Sequence, residues 1–113
     1  MNKIAIVISV ISLLAVTAAN ADQADEVKQM HEAYGQSMSA MKDDMHHGMI
    51  SDNPDVAFAA GMLPHHEGAV EMAKIELKYG KDPEMLELAR KIVSAQAAEI
   101  TQMKNWLKAH PAQ

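Results

Sequence analysis

Two tripeptides, Asn53-Pro54-Asp55 and Asp82-Pro83-Glu84, constrain this chain more than anything else in it. Each sets a side-chain acceptor, a proline and a carboxylate in successive positions. The acceptor caps the free amides of a helix start, and proline loses nothing in a first turn. The carboxylate meets the positive end of the dipole. Two helices therefore begin at Pro54 and Pro83. The first stops at Gly80 after Tyr79, and the second runs to about Ala109 before Pro111. Upstream, Val27, His31, Tyr34, Met38, Met41 and Met45 recur at spacings of four and three. That pattern predicts a third helix from about Asp25 to His47, with Gly48 as its stop. Gly35 inside it costs about 1 kcal/mol relative to alanine, so this helix leans on tertiary packing. With no strand pattern and short connections, the predicted fold is all-α, an antiparallel bundle of three main helices.

The first 21 residues read as a cleavable secretory signal. Lys3 forms a minimal positive start, and an apolar run from Ile4 to Ala19 is broken only by Ser9, Ser12 and Thr17. Ala19-Asn20-Ala21 offers the small residues a signal peptidase reads, with cleavage after Ala21. The rival reading is an uncleaved anchor, for which the run falls short of the ~20 residues of a spanning helix. Residues 22–113 then form one domain with a modest core, expected in the periplasm and free of the membrane.

The chain's net charge of −5 argues against nucleic acid, whose phosphates require cations, and suits a protein that holds cations. There is no cysteine although an exported protein could use it. Thiolate zinc sites, iron–sulfur clusters and thioether-linked haem are thereby excluded. The sulfur is all methionine, ten residues in all, alongside six histidines. Thioether and imidazole are the soft-metal donors that remain, and together they suit Cu(I) better than zinc, iron or calcium.

Helical wheels place these donors. On the second helix Met62, His66, Ala69 and Ala73 centre the apolar arc, with His65, Met72 and Glu76 at one edge. On the third, Met85, Leu88, Ala89, Ile92, Gln96, Met103 and Leu107 share a face bordered by Glu99. Gln96 is polar within that stripe, so a group opposite is expected to answer it. Folding the second helix onto the third about residue 81 puts His66 level with Gln96. Folding the first onto the second about residues 50–51 brings Met38 and Tyr34 to the same height. One layer results: Met38, Met62, His66, Gln96 and Met103, with His31, His65 and Glu99 nearby. Gln96 or Glu99 would act as the acceptor that fixes the histidine tautomer. A second cluster, Met45-His46-His47-Gly48-Met49, sets four donors within five residues at a helix end. Plainer roles exist for both: methionine stripes fill cores, and the helix dipole alone favours terminal histidine.

Other chemistries leave no trace. No glutamate has a histidine three residues on, as carboxylate-bridged di-iron bundles require. His66-Glu67 begins a zinc-protease motif, but Val70 stands where the second histidine belongs.

The block Met62-Leu63-Pro64-His65-His66, followed by Ala69-Val70-Glu71-Met72-Ala73, precedes Leu88-Ala89, Ile92, Gln96, Glu99-Ile100, Met103 and Trp106-Leu107. Over Phe58–Leu107 the chain resembles the bacterial domain of unknown function 305, a ferritin-like helical family with CopM-like periplasmic copper-binding members. The resemblance implies copper binding and tolerance, with Met62, His65, His66, Met72 and Met103 as ligands. A ferritin-like bundle has four helices where this chain has three, so a second subunit would supply the missing wall. The expected function is a non-enzymatic Cu(I) buffer or carrier that exchanges copper with a copper-handling partner. The competing readings are a cuprous oxidase, a metal-independent chaperone or interaction module and, more remotely, a non-covalent haem bundle.

Overall fold

The computed structural model describes the backbone of residues 2–111 and the side chains of residues 17–111. Three helices make up the fold: α1 (Asn2–Met49), α2 (Pro54–Tyr79) and α3 (Pro83–Ala109). Among the described residues there is no strand. Both cap signals act as predicted. Asn53 Oδ1 accepts from the amides of Asp55 and Val56 at 2.9 and 3.3 Å. Asp82 Oδ1 accepts from those of Glu84 and Met85 at 3.0 and 3.1 Å.

α1 starts at Asn2 rather than near Asp25. No glycine or proline precedes Gly35, so nothing in the N-terminal stretch breaks a helix. Of the expected signal, Met1 and the side chains of residues 2–16 lie outside the described residues. Residues Met1–His31 form one compact unit and Glu32–Gln113 a second. Within the first, the residues from Thr17 onward are exposed apart from half-buried Met30. Among the described residues no helix is long and apolar enough to cross a membrane.

In the second unit α2 packs on both neighbours, using a different stripe of small residues for each. Ala59, His66 and Ala73 recur every seven residues toward α3; Gly61, Pro64 and Gly68 recur at three and four toward α1. The α3 register follows the sequence reading. Ala59 shares a groove with Met103, and Ala73 shares one with Ala89, as antiparallel folding about residue 81 requires.

The α1 register does not. Gly48 lies against Ala60, Met49 against Gly61 and Met41 against Gly68. These pairings shift α1 about two helical turns along α2 from the level expected for a hairpin with flush ends. Met38 and Tyr34 consequently do not stand level with His66. Tyr34 lines a groove with Ala73 and Glu76 instead. The cause is a backbone contact. Pro64 has no amide, which releases the carbonyl of Ala60, and Gly48 approaches that oxygen so closely that a Cβ would overlap it. α1 ends at Met49, one residue past the stop expected at Gly48, and no glycine among the described residues has positive φ.

The buried apolar core is thin. Among the described residues Val56, Ala59, Ala73 and Ala89 form it, and no described side chain is fully enclosed. At roughly 0.8 kcal/mol per buried methylene, close approach of small residues contributes what large side chains would in a fatter core.

Gly48→Ala is expected to lower unfolding stability by about 1–3 kcal/mol, because backbone cannot yield as a side chain does. Gly35→Ala, which meets nothing within 4 Å, should raise it by about 0.5–1 kcal/mol. Urea unfolding followed by circular dichroism measures both.

Candidate metal centre

His66 is the best-defined polar side chain in the second unit. Its Nδ1–H donates to the carbonyl of Met62, one turn back, at 3.1 Å. Its Nε2 stands 2.5 Å from Glu99 Oε2 on α3. The histidine side chain is 14% exposed and the glutamate 62%. Helical side chains lean toward their own N-terminus. His66 therefore leans toward the level of Glu99, and Glu99 leans back toward the level of His66. That mutual lean lets residues about one turn out of register meet.

The pairing fixes the ring chemically. A carbonyl only accepts, so Nδ1 carries a proton. At Nε2 the ring shares a second hydrogen bond with the Glu99 carboxyl group. Both nitrogens are occupied, and neither offers a lone pair to an ion until Glu99 or Met62 lets go. Glu99 and the Met62 carbonyl thus clamp the ring from its two nitrogens.

Gln96 fares differently. The stripe that should bury it does, yet its Oε1 is buried without a hydrogen-bond partner. The expectation that a side chain opposite would answer it is corrected. The His66 ring nearest it is already paired with Glu99 and the Met62 carbonyl.

The other donors expected around His66 are dispersed. His65 is exposed, its ring 6.2 Å from that of His66. Met62 is half-buried. Met103 lines a groove with Phe58, Asp55 and Trp106, whereas Met72 lines another with Tyr34, Met85 and Leu88. His31 is exposed in the N-terminal unit. The single layer drawn from the helical wheels is therefore several separate places: the shift of α1 takes Met38 away, and Met103 and Met72 line different grooves along α2 and α3.

That same shift leaves a denser group elsewhere. Met38, Met41, Met45 and Met49 line an open groove of 740 Å³ along the end of α1, together with His46 and His47. Every donor of the second sequence cluster is there, joined by Met38 from the first. Met41 was seen only as part of the packing seam; its place four residues before Met45 was the available signal. The rings of His46 and His47 are exposed and 6.3 Å apart. Met41 and Met49 reach α2 at Gly68 and Gly61, where an added Cβ would lie 3.0 and 2.8 Å from their respective Cγ atoms. By the same register Met45 falls level with Pro64 and His65. Among the described residues no three of His, Asp and Glu gather closely enough to hold an ion. The concentrated donors here are thioethers.

Residues 11–107 match the family described as Domain of unknown function (DUF305). The chain belongs to that family. The match runs well upstream of Phe58 and takes in all of the α1 groove, so the DUF305 domain here includes three helices rather than a hairpin. A curated relative, an uncharacterized protein of Acanthamoeba polyphaga mimivirus, is 38% identical over 53 residues. That alignment covers 47% of this chain and 35% of the relative, so the chain spans about a third of the relative's length.

Nitrogen-15 NMR of the imidazoles is expected to show His66 with a protonated Nδ1, a state that survives in Glu99→Gln. A bare Nδ1 in either protein would contradict the clamp.

Proposed function

We propose that this DUF305 protein is an exported, non-enzymatic copper-binding protein that buffers or carries Cu(I) in the periplasm. The observation that carries the reading is the α1 groove, where four methionines and two histidines line one open face. Thioether sulfur is a soft donor that selects Cu(I), and it needs no deprotonation to bind. Open access suits cargo that must be handed on to a copper-handling partner. The expected signal at residues 1–21 supports the compartment, and with no cysteine in the chain no thiol competes with methionine for a soft ion.

Within this reading the groove is the loading site. Met45, His46, His47 and Met49 are its nearest donors in sequence, with Met41 and Met38 about one and two turns earlier on the helix. The His66–Glu99 pair is a poorer first acceptor, since an ion there must displace a hydrogen-bond partner at each ring nitrogen. Of the ligands implied by family resemblance, Met62 and His65 stand beside His66, while Met72 and Met103 line separate grooves and would not join them on one ion.

Competition against a chromophoric Cu(I) chelator under reducing, anaerobic conditions tests the proposal. Wild-type protein should withdraw Cu(I) from the chelator. Met45→Leu/Met49→Leu should bind at least tenfold more weakly with its helicity intact, and Met62→Leu/His66→Ala should lose less. No uptake by the wild type would overturn the function. Unchanged uptake in the groove variant would overturn the site.

A further inference from the structure

Two methionines rest on glycine seats where α1 meets α2. Met41 lies against Gly68 and Met49 against Gly61. Gly61 is buried, and a Cβ added there would lie 2.8 Å from Met49 Cγ and 3.5 Å from its Sδ. The two seats differ in access. Met41 is half-buried, whereas Met49 is 53% exposed. Met38 is exposed to the same degree, at 54%, but it lines the α1 groove and the glycine seats are taken by the other two. Met49 therefore combines two properties. A small molecule in water can reach it, and its thioether is part of the joint between the helices.

A thioether with that access is open to a peroxide. A sulfur lone pair attacks one peroxide oxygen, the S–O bond forms and the O–O bond breaks. The second oxygen takes up the proton and leaves as water. Sulfur loses two electrons and the peroxide gains them, giving methionine sulfoxide. The product no longer suits its seat. A sulfoxide is polar, and its oxygen only accepts hydrogen bonds. The carbonyl of Ala60, next to Gly61 and freed by Pro64, also only accepts. A polar oxygen left unmatched at a packed seat disfavours the contact. The close approach of Gly48 to Ala60, one residue before Met49 on α1, shares that joint.

We infer that Met49 is an oxidation site, and that its sulfoxide loosens the end of α1 from α2. The inference concerns the metal-free chain and does not rest on the copper reading.

The test treats metal-free protein, isolated from its native host, with hydrogen peroxide. Peptide mass spectrometry locates the added oxygen, and urea unfolding reads the fold. Met49 should take up oxygen before half-buried Met41, and the equilibrium constant for unfolding should rise about fivefold or more. Met49→Leu keeps an apolar chain of similar size on Gly61, so the same treatment should cost it much less stability. Met38→Leu removes an equally exposed sulfur away from the seats and should lose as much as the wild type. A Met49 that stays reduced while Met38 oxidises would overturn the inference, and so would equal losses in Met49→Leu and the wild type. Should Met49→Leu fail to fold, methionine sulfoxide reductases acting on both epimers decide with the oxidised wild type. Stability should return as the Met49 sulfoxide is reduced, and reduction without recovery would count against the site.

Discussion

The approach of Gly48 to the carbonyl of Ala60 governs the second unit. Pro64 frees that oxygen by lacking an amide, and only a residue without a Cβ can come so near it. Once that contact is made, Met49 must fall at Gly61 and Met41 at Gly68, because α-helices offer neighbours only every three or four residues. The end of α1 is thereby set against the middle of α2. The first turns of α2 are left to pack with α3 beside Phe58 and Trp106, and the groove at Tyr34 opens at the other end. Both grooves and the methionine face of α1 follow from one backbone contact.

Much of this was legible in the sequence because it is local or periodic. The Asn53 and Asp82 caps fixed two helix starts, and the α2–α3 register came from a short loop between faces of clear polarity. Glu99 could be named as a partner of His66 because it borders the right face at the right height. What was not legible depended on main chain meeting main chain. Gly48 carries the signature of a helix stop, yet it works as a notch, and no pattern of side chains distinguishes the two. The error then propagated: with α1 placed two turns off, Met38 joined His66 on paper and joined Met41 and Met45 in the fold. Gln96 misled for a different reason. Periodicity predicts burial of a side chain but not which acceptor its neighbour will choose.

The two histidine environments separate two kinds of chemistry. His66 is held at both nitrogens, largely out of solvent, and organises the α2–α3 contact. His46 and His47 are exposed beside a row of thioethers and hold no such positions. An arriving ion competes with hydrogen bonds at the first and only with water at the second. The copper reading therefore moves from the motif that most resembles the family to the α1 face beside it, which the family match also spans.

X-ray absorption at the copper edge of protein loaded with one equivalent of Cu(I) tests that account most directly. The predicted spectrum is dominated by sulfur neighbours with a minor imidazole contribution, and its sulfur shell shrinks in Met45→Leu/Met49→Leu. A first shell of nitrogen and oxygen alone, or a sulfur shell that the substitution leaves unchanged, would contradict it.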